Sequence, residues 1–173
     1  MLFRSLATAI VVLDQWTKVA VAGSMRLHET RPILPGFFDL TYVRNTGAAF
    51  SMLAGRSAAF RIPFFTAISV LAGAAILSFV RRTPSSRKIA LVSCAAVLGG
   101  AIGNLIDRLL HGEVIDFLLL HWRRWAWPAF NVADSFITVG VAVLLVRTLL
   151  GYDDLSDPVV PGRGEVPRGR IPG

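Results

Sequence analysis

Long runs of apolar residues alternate with shorter polar segments along the chain. The four runs cover about residues 2–22, 60–80, 89–106 and 129–150. Each is close to the ~20 residues that an α-helix needs to cross the hydrocarbon core of a bilayer. The pattern therefore predicts a membrane all-α fold with four transmembrane helices.

Two longer segments, residues 23–59 and 107–128, connect the predicted helices. The first contains the aromatic and β-branched run 37–43, which favours extended structure. We therefore expect a small β-rich hairpin or curved sheet on the membrane surface. The second has tryptophans and arginines between residues 121 and 128, a composition that suits the headgroup region and is typical of an ordinary aromatic belt.

The short link between the second and third helices determines the predicted orientation. Four of the eight residues 81–88 are basic, and such links face the cytoplasm. An even number of spans then puts both termini in the cytoplasm and both longer segments outside it. Arginines in the first outer segment and at its border oppose this assignment, so it depends on the charge density of the link.

The two ends of the chain give further expectations. The N-terminus imitates a secretory signal with its cleavage site, because Arg4 is followed by the apolar run 6–13 and then by small residues at 20–22. Because the apolar character resumes after Asp14, we expect an uncleaved first helix instead. Residues 151–173 lack apolar periodicity, which predicts a disordered cytoplasmic tail after a membrane domain over 1–150.

Composition supports a bilayer protein and excludes several functions. Of the 173 residues, 54% are hydrophobic and only 17% are charged. The net charge of +7 comes from basic residues scattered between apolar runs, so no nucleic-acid partner is expected. The single cysteine and the three histidines lack metal-ligand spacing, so we expect no metal or other cofactor.

Alternating topology brings the polar residues of the helices to the outer end of the bundle. Ionisable groups at membrane depth cost at least ~2.5 kcal/mol each and are usually functional or paired. A one-sided set therefore predicts a polar pocket. Its candidates are Asp14, Lys18, Asn45, Asn104, Asp107, Arg108, Asp116, Asn131 and Asp134.

Purely structural roles remain open for most of these residues. They are an ion pair between Asp14 and Lys18, an interface anchor at Asp107 and Arg108, a helix cap at Asn131, and a close-packing face at Gly99 and Gly103.

Asp116 and Asp134 suggest a definite chemistry. Neighbouring carboxylates cannot both ionise easily and share a proton. The charged one can activate water against a peptide carbonyl while the neutral one protonates the carbonyl oxygen, without a metal. A proton-coupled transporter and a noncatalytic scaffold are alternatives. The transporter is disfavoured because no comparable groups occupy the inner halves of the helices.

Four motifs resemble the signal peptidase II family of membrane aspartyl proteases, in the family order over roughly residues 10–148. They are Asp14-Gln15-Trp16-Thr17-Lys18, Asn45-Thr46-Gly47-Ala48-Ala49-Phe50, the run 99–108 leading on to Gly112-Glu113-Val114-Ile115-Asp116-Phe117, and Phe130-Asn131-Val132-Ala133-Asp134-Ser135.

The resemblance implies a catalytic pair, Asp116 and Asp134, in a bacterial cytoplasmic (inner) membrane protein. It implies cleavage of prolipoproteins just before a diacylglyceryl-modified cysteine, with inhibition by globomycin. We expect a monomer whose partners are lipidated prolipoproteins and membrane phospholipid, with its site near the outer leaflet surface. The supporting residues implied are Asp14, Asn45, Asn104, Arg108 and Asn131.

Overall fold

The structure, a computed structural model, describes residues 2–47 and 55–151. Within these residues, four helices are long and apolar enough to cross a membrane, which confirms the prediction. They are α1 (Leu2–Ser24), α2 (Ala58–Arg82), α3 (Lys88–His111) and α4 (Val132–Leu149). The predicted tail lies outside the described residues, except for Gly151.

The ends of α3 and α4 differ from the predicted ends. α3 continues to His111, beyond the predicted end at residue 106. α4 begins at Val132 instead of residue 129, because Phe130 pairs with Leu118 in a β-bridge. Asn131 caps α4 through a reciprocal capping box with the third residue of the helix, which confirms the cap interpretation.

α3 packs against each of the other three helices. Its glycines allow the helix backbones to approach closely. A Cβ atom on Gly99 would lie 2.9 Å from the carbonyl oxygen of Ala7, and one on Gly100 would lie 2.7 Å from Cγ1 of Ile137. A Cβ atom on Gly103 would overlap the Asp14 side chain in the same way. The close-packing interpretation of Gly99 and Gly103 is therefore confirmed.

A small antiparallel sheet lies at one end of the bundle. Its strands are β1 (Thr30–Leu34), β2 (Phe38–Asn45), β3 (Val114–Trp122) and β4 (Trp125–Ala126), in the order β1-β2-β3-β4. The β1–β2 hairpin confirms the β-rich expectation for the first segment. β3 was not foreseen from the sequence, because its first four residues are all buried and show no alternation of apolar and polar positions.

The sheet is attached to the helices by an apolar cluster at the end of α1. Val21 of α1 and Met25, which directly follows the helix, pack there with Tyr42 of β2 and with Ile115 and Phe117 of β3. β3 follows α3 after a short turn, and its Leu118 pairs with Phe130 in the segment before α4. The strand is therefore tied to both of these helices. This packing holds the first half of β3, which includes Asp116, against the end of the bundle.

The close approach of α3 and α4 makes Gly100 a test of the packing. Gly100→Ala is expected to lower the free energy of unfolding by about 1–3 kcal/mol, because the new methyl group overlaps Ala133 and Ile137. Gly73→Ala is the control, since its Cβ would lie 3.5 Å from Leu98, an ordinary contact. Thermal unfolding of both variants in one detergent measures the difference. Equal Tm values would contradict the described packing.

Candidate active site

Polar side chains from the sheet and two helices line one cavity of about 880 Å³. The structure thus brings most of the predicted site residues together. The polar lining includes Asn45, Asn104, Arg108, Asp116 and Asp134. The other two site residues that the family resemblance implied, Asp14 and Asn131, are fully buried. Asn131 donates to Asp116, and Asp14 accepts the backbone N–H of Ala133.

Asp116 lies on β3 opposite Val43 of β2, and only 2% of it is exposed. Its Oδ1 accepts a hydrogen bond from Nδ2 of Asn131 at 2.8 Å. Its Oδ2 accepts one from Nδ2 of Asn45 at 3.0 Å. Asn45 is itself fixed, because its Oδ1 accepts the backbone N–H of Gly47 at 2.9 Å. Both oxygens of Asp116 therefore face N–H donors.

Asp134 lies in the first turn of α4 and completes the capping box. Its Oδ1 accepts a hydrogen bond from Nδ2 of Asn104 at 2.7 Å, and its Oδ2 accepts the backbone N–H of Asn131 at 3.3 Å. Asn131 therefore contacts both aspartates, through its side chain to Asp116 and through its backbone to Asp134. One asparagine links the sheet residue to the helix residue.

The pKa of Asp116 is raised to about 7. The main cause is burial, which disfavours the charged carboxylate, and the negative charge of Asp134 adds to it. The hydrogen bonds from Asn45 and Asn131 oppose the rise, because they stabilise the charged form. The Asp116 carboxyl group can therefore hold a proton near neutral pH.

Arg108 connects α3 to the loop after β2 and to α2. Its guanidinium donates to the carbonyl oxygens of Asn104 and Gly47, each at 3.3 Å. The same group lies over the ring of Phe65 of α2, 4.6 Å from the ring centroid. This arrangement holds a positive charge at the cavity wall.

A buried ion cluster lies behind the cavity. Nζ of Lys18 is 2.8 Å from Oδ2 of Asp14 and 2.9 Å from Oδ2 of Asp107. The ion pair expected from the spacing of Asp14 and Lys18 is therefore confirmed. The interface-anchor interpretation of Asp107 is wrong, because this carboxylate is 2% exposed and points inward to Lys18.

Lys18 and Asp107 belong to the polar set found in the sequence, but the family resemblance implied no site role for them. The four-residue spacing of Asp14 and Lys18 indicated their pairing. Alternating topology placed Asp107 at the same end of the bundle, but no sequence signal indicated that it would pair with Lys18. Residues 48–50 of the second motif lie outside the described residues.

Residues 2–47 and 55–151 contain no group of three His, Cys, Asp or Glu side chains that could hold a metal ion. The polar groups that line the described cavity include two carboxyl groups, side-chain amides, hydroxyl groups and a guanidinium.

Known proteins resemble this chain over most of its length. Residues 6–150 match the family Signal peptidase (SPase) II. The lipoprotein signal peptidase of Syntrophotalea carbinolica is 48% identical over 141 residues, which cover 82% of this chain and 86% of that protein. That of Symbiobacterium thermophilum is 48% identical over 151 residues, which cover 87% of this chain and 95% of that protein.

A solved bacterial membrane enzyme has the same fold. It is 30% identical and superposes with a TM-score of 0.79, covering 92% of this chain and 94% of the other. The sequence match and the structural match agree with the family resemblance of the four motifs. The chain belongs to the signal peptidase II family.

Proposed function

We propose that this protein is a membrane aspartyl endopeptidase with Asp116 and Asp134 as its catalytic pair. It removes signal peptides from diacylglyceryl-modified prolipoproteins by cleaving just before the lipidated cysteine. The observation that supports the proposal most is that both carboxyl groups line one cavity and share Asn131 as a partner. The names of the curated relatives support the substrate class.

The reaction needs one proton shared by the two carboxyl groups. The ionised carboxylate takes a proton from water as the water oxygen attacks the peptide carbonyl carbon. The neutral carboxyl group gives its proton to the carbonyl oxygen, which forms a neutral tetrahedral diol. The first carboxyl group then protonates the amide nitrogen while the second recovers a proton from a diol hydroxyl, and the C–N bond breaks. Both carboxyl groups return to their starting states.

The cavity has an apolar side that suits a lipidated peptide. Leu120 and Trp127 border it from the sheet region, and Ile137 and Val139 border it from α4. Burial of acyl carbons against such a wall contributes about 0.8 kcal/mol per CH₂ group. A diacylglyceryl cysteine can therefore place its chains on the apolar side while the scissile bond reaches the aspartates.

The other predicted residues support the pair in this proposal. Asn45, Asn104 and Asn131 donate to the carboxylate oxygens. Arg108 holds a positive charge at the cavity wall, and Asp14 accepts the backbone N–H of Ala133 beside Asp134 at 2.9 Å. Residues 1–150 act as one membrane peptidase domain, functional as a monomer.

We place the site near the outer leaflet surface of a cytoplasmic membrane, with both termini in the cytoplasm. The tip of the β3–β4 hairpin supports a position at the headgroups. Trp122 and Trp125 pair across the hairpin and are 63% and 84% exposed. The turn between them consists of Arg123 and Arg124, whose charges suit lipid phosphates.

Replacement of either aspartate tests the catalytic pair. Asp116→Asn and Asp134→Asn should each lower the cleavage rate of a lipidated precursor by roughly 10³-fold or more, because an amide cannot share the proton. The control is Asp39→Asn, a carboxylate of β2 that lies 3.0 Å from His121 and outside the cavity lining. Membrane insertion of all three is checked by their yield in membranes. Wild-type activity in either pair variant would refute the assignment.

The pH dependence tests the shared proton. Because the pKa of Asp116 is about 7, the pair loses its proton as the pH rises through that value, and kcat/KM should fall there. Asn45→Ala removes a donor that stabilises the charged form, so the fall should move to higher pH. Asp39→Asn should leave it in place. A fall that moves to lower pH in Asn45→Ala would contradict the proposed titration.

Lipid quenching tests the position of the hairpin. In a Trp16→Phe background, we expect lipids brominated near the headgroup end of the acyl chain to quench tryptophan fluorescence more than lipids brominated near the chain end. Trp125→Phe should remove much of this difference, because Trp125 is the most exposed hairpin tryptophan. Equal quenching by both lipids, or none, would place the hairpin away from the headgroups.

A further inference from the structure

Lys18 is buried to 99%, with 1% of its surface exposed, and its ammonium group contacts three acceptors. Nζ lies 2.8 Å from Oδ2 of Asp14, 2.9 Å from Oδ2 of Asp107 and 2.9 Å from Oδ1 of Asn104. An ammonium group has three N–H donors, so these contacts use all of them. Lys18 is not among the residues that line the cavity, so it acts through its neighbours.

The two acidic partners of Lys18 each hold the backbone beside one aspartate of the pair. Oδ1 of Asp14 accepts the N–H of Ala133 at 2.9 Å, and Ala133 directly precedes Asp134. Oδ2 of Asp107 accepts the N–H of Ile115 at 3.1 Å, and Ile115 directly precedes Asp116. The Lys18 ammonium group thus joins the carboxylate that holds the start of α4 to the carboxylate that holds the start of β3.

The third contact fixes the orientation of Asn104. A side-chain amide can present either its oxygen or its NH₂ group to a neighbour. Oδ1 of Asn104 accepts from Lys18 at 2.9 Å and from Asn131 at 3.1 Å. Its Nδ2 is therefore directed to Oδ1 of Asp134 at 2.7 Å. With a cation on the oxygen side, the amide cannot turn around without losing both donors.

We propose that Lys18 is a positioning residue, which sets the separation of the Asp116 and Asp134 carboxyl groups and the orientation of Asn104. The inference depends on the proposed role of this pair. Since Lys18 acts behind the cavity lining, its loss should slow bond cleavage and leave substrate binding unchanged. Arginine cannot replace it, because a planar guanidinium does not direct three donors from one atom.

A simpler role would be to neutralise buried negative charge. Lys18, Asp14 and Asp107 together carry one net negative charge. Lys18→Met raises it to two, whereas Lys18→Met with Asp107→Asn restores it to one without the ammonium group. Charge balance alone predicts that the double variant recovers both stability and rate. Positioning predicts that it recovers stability only.

The experiment measures Tm, kcat and KM of the wild type, Lys18→Met and the double variant with a diacylglyceryl-modified precursor in detergent. In the double variant we expect a Tm above that of Lys18→Met, because only Asp14 then lacks its cation, together with kcat lowered about 10²-fold and KM unchanged, as for a misplaced catalytic group. Wild-type kcat in the double variant, or a change confined to KM, would overturn the inference. Thr17→Val is the control on the same helix, since within the described part of the chain Thr17 bonds only to carbonyl groups of α1.

If the Lys18 variants do not fold, Asp107→Asn provides the test. Asp107 does not line the cavity, and the amide has the same shape as the carboxylate. Its kcat should fall at unchanged KM, and an unchanged kcat would overturn the inference. The proposed function fails separately, if the wild type does not cleave the precursor or if Asp116→Asn still cleaves it.

Discussion

The end of the bundle that holds the candidate active site depends on one interaction, the pairing of the buried Lys18 ammonium group with two carboxylates. A charged group that is buried without a partner lowers the free energy of unfolding by several kcal/mol. Because helix packing buries Lys18, the folded protein requires its two carboxylate partners. Those carboxylates also accept backbone N–H groups of α4 and β3. The ion pairs, the helix packing and the attachment of the sheet are therefore parts of one arrangement, and none can form fully without the others.

The catalytic pair that we propose is assembled from two kinds of structure. Asp134 belongs to the first turn of a membrane-spanning helix, and Asp116 belongs to a strand of the attached sheet. Asn131 joins them, since it caps the helix and also donates to Asp116. Because the raised pKa of Asp116 results from burial and from the charge of Asp134, a proton can be held near neutral pH only when the sheet is packed on the bundle.

The sequence alone predicted the features that depend on local patterns. Apolar run lengths predicted the four helices, and the position of Asn131 close to the start of the last apolar run indicated its cap. Features that depend on packing were not predictable in this way. β3 was missed because its buried residues do not alternate, and Asp107 was misinterpreted because its partner Lys18 lies 89 residues earlier in the chain. The polar pocket itself followed from topology, since alternating helices bring their polar ends to one side.

The most direct test of the account uses the purified protein and two versions of one precursor, with and without a diacylglyceryl group on the cysteine. Products are identified by mass spectrometry. The account predicts that only the lipidated precursor is cut, and that the mature product begins with the lipidated cysteine. Absence of cleavage, cleavage at another bond, or equal cleavage of the unmodified precursor would contradict it.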